Sequence, residues 1–176
     1  MRIGIVGGTG PAGSALGARL ADSGHEVVLG SRSRERADEV CASLRARWPD
    51  RGLRLGAADN AGAAEADLVV VATPWDSAAS TASALAPRLA GKVVVSMANA
   101  IARVGDELQP VIPPRGSVAL GVQAALPDAS VAAAFHHLPA REVGRLDEPL
   151  GHDVLVCADD PAATAAVLEV VGSVAG

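Results

Sequence analysis

The sequence predicts an α/β fold, a doubly wound and mostly parallel sheet with helices on both faces. Two observations predict it. Short apolar runs of strand length trade places with helix-length stretches from the N-terminus to about Ser96. The first run also opens through a glycine-dense turn straight into a helix. Right-handed crossovers between successive parallel strands then wind the sheet both ways. The 176 residues suit one domain, 1–176.

The elements follow in order. Ile3-Gly4-Ile5-Val6 reads as a buried parallel strand. After the glycines, a helix runs from about Ala12 to Ser23, with Ala15, Leu16, Arg19 and Leu20 on helical spacing and Gly24 as its stop. Glu26 to Leu29 is a second strand. Ser31 or Ser33 caps a helix reaching about Arg47, with Pro49 just beyond. Leu53 to Leu55 is a brief third strand and Asn60 to Ala66 a short helix. Leu68 to Ala72 is a fully apolar fourth strand, Ser77 to Leu89 a helix, and Lys92 to Ser96 a fifth strand. After Met97 the rhythm loosens. Pro110, Pro113 and Pro114 mark a loop, and Ser117 to Leu126 a helix ended by Pro127. Ser130–Phe135 and Asp153–Cys157 read as strands, and Pro161 fits the first turn of a last helix.

Composition narrows the function. Apolar residues make up 49% of the chain, enough for a core. With two Trp, one Phe and no Tyr the core is aliphatic, and a stacking platform for single-stranded nucleic acid is not expected. A net charge of −5 argues against binding to phosphate backbones or anionic membranes. No apolar run reaches the roughly 18 residues of a membrane span, and Met1-Arg2 leads directly into a strand rather than a signal peptide. Cys41 and Cys157 lack ligand spacing and read as buried or half-buried thiols of a cytoplasmic protein. No metal site is expected.

Gly8-Thr9-Gly10-Pro11-Ala12-Gly13 fits G-x-G-x-x-G, and it follows a strand and opens a helix. One glycine permits the tight turn, a second lets a pyrophosphate approach, and a third lets helix and strand pack closely. The helix start presents free N–H groups to the phosphates. Dinucleotide sites that prefer NAD carry an acid at the end of the second strand. Here that stretch reads Leu29-Gly30-Ser31-Arg32-Ser33-Arg34-Glu35-Arg36, and its first acid comes several residues late. A hydroxyl and guanidinium groups instead suit a 2′-phosphate, with Thr9 near enough to help. The expected cofactor is NADP.

These segments, with Pro74-Trp75-Asp76, His136-His137-Leu138-Pro139-Ala140, Leu146-Asp147-Glu148 and Asp153 to Asp160, resemble the NADPH:coenzyme F420 oxidoreductases (F420-dependent NADP reductases) over nearly the whole chain. The resemblance implies a Rossmann-type domain and hydride exchange between NADP(H) and a 5-deazaflavin, coenzyme F420. It implies that Thr9, Ser31, Arg32 and Arg36 hold the 2′-phosphate, and that Gly8, Gly10 and Gly13, with Pro11 and Ala12, shape the pyrophosphate turn. Thr73, Pro74 and Trp75 would line the cofactor cleft. Met97, Ala98 and Asn99, with His136, Leu138 and Pro139, would flank the nicotinamide and receive the deazaflavin. Family members normally continue into a C-terminal helical segment that pairs subunits and closes the deazaflavin side; this chain stops at Gly176 short of that segment, so the resemblance leaves a homodimer and the deazaflavin site open, and the apolar run Val167 to Val171 reads as a surface for further chain.

Hydride transfer between flat rings needs positioning and exclusion of water more than covalent help. Reduction places negative charge on the deazaflavin's pyrimidine edge, which backbone N–H groups or His136 would stabilise. His136 is therefore the candidate catalytic residue, a loop histidine being the plainer reading. Trp75 reads equally as a packing lid. Two other functions fit: a non-catalytic NADP(H)-binding or redox-sensing module, and an NADPH-dependent reductase with a flavin or imine acceptor.

Overall fold

In a computed structural model, which describes residues 1–174, seven strands form one sheet and two more a separate hairpin. β1 (Arg2–Val6) is central. On one side lie β2 (Glu26–Ser31) and β3 (Leu55–Asp59). On the other lie β4 (Leu68–Val71), β5 (Val93–Ser96), β8 (Ser130–Ala133) and β9 (Cys157–Ala158). The order is β3-β2-β1-β4-β5-β8-β9, parallel except for the β8–β9 pair. Strand order reverses between β1 and β4, so a crevice opens at their carboxyl ends, the usual ligand position in such sheets.

Two apolar clusters cover the faces. One packs α1 (Pro11–Asp22), α2 (Arg34–Arg47) and α8 (Pro161–Val174) against Ile3, Ile5, Val27 and Leu29. The other packs α4 (Ala78–Ala84), α5 (Ala86–Leu89) and α6 (Val118–Ala125) against Val6, Val69, Val71 and Val94. Adjacent strand residues point to opposite faces, which is why β4 is apolar throughout. Among the described residues no helix is long and apolar enough to cross a membrane.

Several expectations need correction. The third strand starts at Leu55, not Leu53, and runs to Asp59. Its length is set by pairing with β2, from Val27↔Leu55 to Ser31↔Asp59, against the weak strand propensity of Gly56-Ala57-Ala58. The short helix after it, α3 (Asn60–Ala63), stops before Ala66. The helix expected over 77–89 is two, divided at Leu85, because Pro87 cannot donate to the preceding turn and restarts the helix. The loop after Met97 contains an antiparallel hairpin, β6 (Ile101–Val104) and β7 (Glu107–Pro110), turned at Gly105 with φ 62°. The strand expected over 153–157 shrinks to Cys157–Ala158, and Cys157 is exposed at the sheet edge while Cys41 is buried. The strand from Ser130 ends at Ala133, since Phe135 turns out of it with φ 62°. A one-turn α7 (Ala140–Val143) follows where no helix was foreseen. Ser173 and Val174 lie at the end of the last helix; Ala175 and Gly176 are outside the described residues.

Candidate functional site

The glycine turn is held from two directions. Gly7 leaves β1 with φ 74°, and its N–H donates to Asn60 Oδ1 at 3.1 Å. The Gly8 N–H donates to the Gly30 carbonyl at 2.8 Å. The three motif glycines then separate by role. A Cβ on Gly8 would lie 2.8 Å from the Ile5 carbonyl oxygen, and one on Gly13 2.9 Å from Gly8 Cα. Both are glycines because the protein itself comes too close. A Cβ on Gly10 would meet nothing nearer than the Gly7 carbonyl oxygen at 3.6 Å. Its bare surface serves no internal contact and forms an open cradle where a phosphate group can come up to the backbone. Gly10 also N-caps α1 without any side-chain cap, and Pro11 begins the helix, so the first-turn N–H groups remain available to an anion.

Beside this turn, the end of β2 carries the hydroxyls. Ser31 is buried, its Oγ 3.5 Å from Thr9 Oγ1 and 3.4 Å from the Ser33 N–H. Of the two possible caps for α2 it is Ser33 that serves, accepting from the Arg36 N–H at 3.2 Å. Ser33 Oγ also donates to Glu35 at 2.6 Å, a bond that holds this carboxyl below its ordinary value. The arginines are not equivalent. Arg36 reaches along the helix to Glu39 at 2.9 Å, and Arg34 lies 3.9 Å from Asp38. Arg32, next in sequence to Ser31, is exposed and has no ion pair among the described residues.

At the carboxyl ends of β4, β5 and β8 most of the remaining nominated residues meet. Gly10, Pro11 and Ala12 from the turn, Thr73, Pro74 and Trp75 after β4, Met97, Ala98 and Asn99 after β5, and His136 and Leu138 after β8 line one cleft of about 370 Å³. Pro139 is not in that wall; it N-caps α7 just behind it. Asn99 is exposed at the rim, and Trp75, half-buried, packs partly on the core, so it is both lid and wall.

Four buried side-chain polar atoms among the described residues have no hydrogen-bond partner; besides Trp48 Nε1, at the end of α2, they are Thr73 Oγ1, Ser96 Oγ and His136 Nδ1. The last three sit at or just after the ends of three adjacent strands. Unsatisfied buried polar groups cost stability and are rare, and two of these residues, Thr73 and His136, line the cleft, which suits a polar ligand such as a nicotinamide dinucleotide. Burial pushes the His136 imidazole below its ordinary value, and the neighbouring His137 ring, 5.2 Å away, adds to this. A neutral imidazole can donate from one nitrogen only, in contrast to a cation. His136 also borders a second cavity of about 530 Å³ between α6, β8–β9 and α8, which contains Cys157 and Asp159.

Sequence reasoning missed Asn60, Ser96, Ala72 and Phe135. Asn60 gave a signal, a polar residue at a strand-to-helix junction near the expected site; Ser96 and Phe135 gave none, because their roles arise from burial and a backbone angle. The remaining loop histidines lie apart from the cleft. His25 contacts Ser173 Oγ at 2.9 Å, and His152 pairs with Glu142.

Residues 2–100 match the family described as NADP oxidoreductase, coenzyme F420-dependent. The F420-dependent NADP reductase of Methanocaldococcus jannaschii is 34% identical over 181 residues, covering 100% of this chain and 81% of that protein. The enzyme of the same name from Methanothermobacter thermautotrophicus is 30% identical over 164 residues, covering 90% and 71%. A crystal structure from Arthrobacter sp. FB24, described as a candidate F420-dependent NADP reductase, superimposes with a TM-score of 0.79 at 29% identity, over 98% of this chain and 80% of that one. The chain therefore belongs to the coenzyme F420-dependent NADP oxidoreductase family.

Proposed function

We propose that this chain, acting as one domain, exchanges a hydride between NADP(H) and the deazaflavin coenzyme F420, the activity for which its family is named. The observation that carries the reading is the meeting of an open glycine cradle and two unpartnered buried polar atoms, Thr73 Oγ1 and His136 Nδ1, around one cleft. When bound, the two cofactors supply the chemistry themselves, a hydride passing between ring carbons held face to face.

The protein's part is binding, orientation and exclusion of water. Gly10 and the first turn of α1 take the pyrophosphate. Thr9, Ser31 and the exposed Arg32 hold the 2′-phosphate, a charge-assisted contact that an unphosphorylated ribose cannot make. Arg36 joins them only by giving up its pair with Glu39. Thr73 Oγ1 and Met97 fix the nicotinamide end, and Ala72 and Phe135 supply apolar wall. His136, neutral and with Nδ1 unpartnered, offers a donor to charge developing on the deazaflavin ring. Leu138 and Pro139 form the acceptor side.

One assay tests this. NADPH and deazaflavin are mixed with the protein and the deazaflavin absorbance is followed. Turnover supports the reading. Tight NADPH binding without turnover, or turnover only with a flavin or an imine, sinks it in favour of a sensing module or a different reductase. The reading includes a homodimer in the cytoplasm, with small-molecule partners and no nucleic acid; sedimentation at working concentration checks the dimer.

A further inference from the structure

Arg19 sits in the last turn of α1, on the helix that the glycine turn opens, and is only 7% exposed. A buried guanidinium normally faces a carboxylate. This one faces backbone. Its Nε donates to the Val143 carbonyl at 2.8 Å, its Nη2 to the Arg145 carbonyl at 2.5 Å, and Nη1 and Nη2 both to the Glu148 carbonyl at 3.1 Å. All three acceptors lie more than 120 residues away in the chain, one at the last residue of α7 and two in the irregular stretch that follows it. That stretch has no ladder or long helix to satisfy its carbonyls; the Arg145 carbonyl accepts the Glu148 N–H at 3.2 Å, and the planar fork of Arg19 adds its donors to all three.

The stretch leads back to the cleft. Upstream, the Ala134 N–H is tied to the Ser96 carbonyl at 3.3 Å. Between that tie and Val143 lie His136 and Leu138 in the cleft wall, Pro139 as cap, and α7. Val143, Leu146 and Leu150 bury their side chains in the core, which attracts the segment but does not fix its direction. Gly144 packs close enough to α1 that a Cβ there would lie 3.3 Å from Ala15 Cβ. Arg51 adds an outer hold through the Leu146 carbonyl at 3.0 Å. His137 makes an exposed contact with the Asp153 carbonyl at 2.9 Å.

We infer that Arg19 is a positioning residue for the acceptor half of the cleft: from the helix whose N-terminus faces the pyrophosphate, its guanidinium pins the backbone at 143, 145 and 148 and so sets the His136–Leu138 wall. The inference rests on the proposed hydride exchange for its purpose, and on the hydrogen bonds alone for its mechanics. It separates two quantities. The dinucleotide cradle keeps its own supports at Gly30 and Asn60, so NADPH binding is independent of Arg19. Deazaflavin binding is not.

The test compares the full chain with Arg19→Met and Arg19→Lys. Met fills the volume without donors, and the Lys ammonium cannot span three carbonyls. Both are expected to raise KM for the deazaflavin about tenfold while the Kd for NADPH stays within about twofold. Amide exchange read by mass spectrometry should quicken about tenfold over residues 140–148 and stay unchanged over the glycine turn. An unchanged KM, unchanged exchange over 140–148, or a loss of NADPH binding in step with the deazaflavin would overturn the inference. If Arg19→Met fails to fold, Arg19→Gln, which keeps a single amide donor, must show the same two shifts or the inference falls. A wild-type protein that never turns over the deazaflavin would remove the proposed function, and the exchange measurement would still decide whether Arg19 holds the segment.

Discussion

The N–H of Gly7 and the Oδ1 of Asn60 lie 3.1 Å apart, joined across 53 residues of chain. The bond ties the first residue of α3 to the point where β1 gives way to the glycine turn, so a side chain from outside the motif fixes one of the motif's peptide planes. Removing it leaves a part-buried N–H without an acceptor. Asn60→Ala is expected to cost about 1 kcal/mol of stability and to weaken NADPH several-fold. Asn60→Asp, which keeps the acceptor oxygen, is expected to recover most of the stability. Chemical denaturation and calorimetric titration check the two effects.

The motif glycines divide into a ligand-facing one and packing ones, and substitution should separate them. Gly10→Ala is expected to leave Tm within a few degrees yet weaken NADPH by about tenfold or more, since the added methyl meets ligand rather than protein. Gly13→Ala should lower Tm markedly, because its Cβ has Gly8 Cα at 2.9 Å. Equal losses of Tm in the two variants would contradict the division.

Arg32 is exposed and unpaired by any acid among the described residues, so its removal should cost little stability, about 0.5 kcal/mol or less. Its effect belongs in selectivity. Arg32→Ala is expected to reduce the preference for NADPH over NADH about tenfold and to flatten the salt dependence of NADPH binding. Calorimetry with both dinucleotides at two ionic strengths reads this. An unaltered preference would remove the 2′-phosphate assignment at the end of β2.

His136 titrates below its ordinary value, by burial first and His137 second. The folded state therefore binds its proton less readily than the unfolded chain. Stability from this group is complete above the unfolded value of about 6.5 and is lost as pH falls from there through the lower folded value. His25, also shifted downward by burial, acts in the same direction. Thermal denaturation should show Tm falling on acidification from pH 7, and less steeply in His136→Gln. The catalytic role has its own measure: a hydride rate in His136→Ala within a few-fold of wild type would show that the imidazole does no chemistry.

Much of this protein was readable residue by residue. The parallel strands, the glycine turn, the Ser33 cap and the arginine-rich end of β2 depend on neighbours within a few positions, and local spacing reports local physics. Even the cleft was foreseen piecewise, because a doubly wound sheet carries its ligand at the carboxyl ends of its strands and those ends could be found. The errors cluster elsewhere. β3 took its length from β2, and Cys157 came to the exposed edge because β9 pairs with β8 for two residues only. The β6–β7 hairpin left a readable trace, Gly105-Asp106 between two short runs, that the prolines around it obscured.

Spacing along the chain, then, established the sheet, the glycine turn and the arginine-rich end of β2 proposed to take the extra phosphate. Folding in three dimensions alone revealed that Gly10 is the motif glycine the protein itself leaves uncrowded, that Thr73, Ser96 and His136 are left without partners, and that Arg19 grips carbonyls more than 120 residues away. The reason is physical. Propensity and periodicity are properties of neighbours in sequence, whereas burial and hydrogen-bond satisfaction are properties of neighbours in space, and a residue acquires the second kind only when distant backbone closes around it.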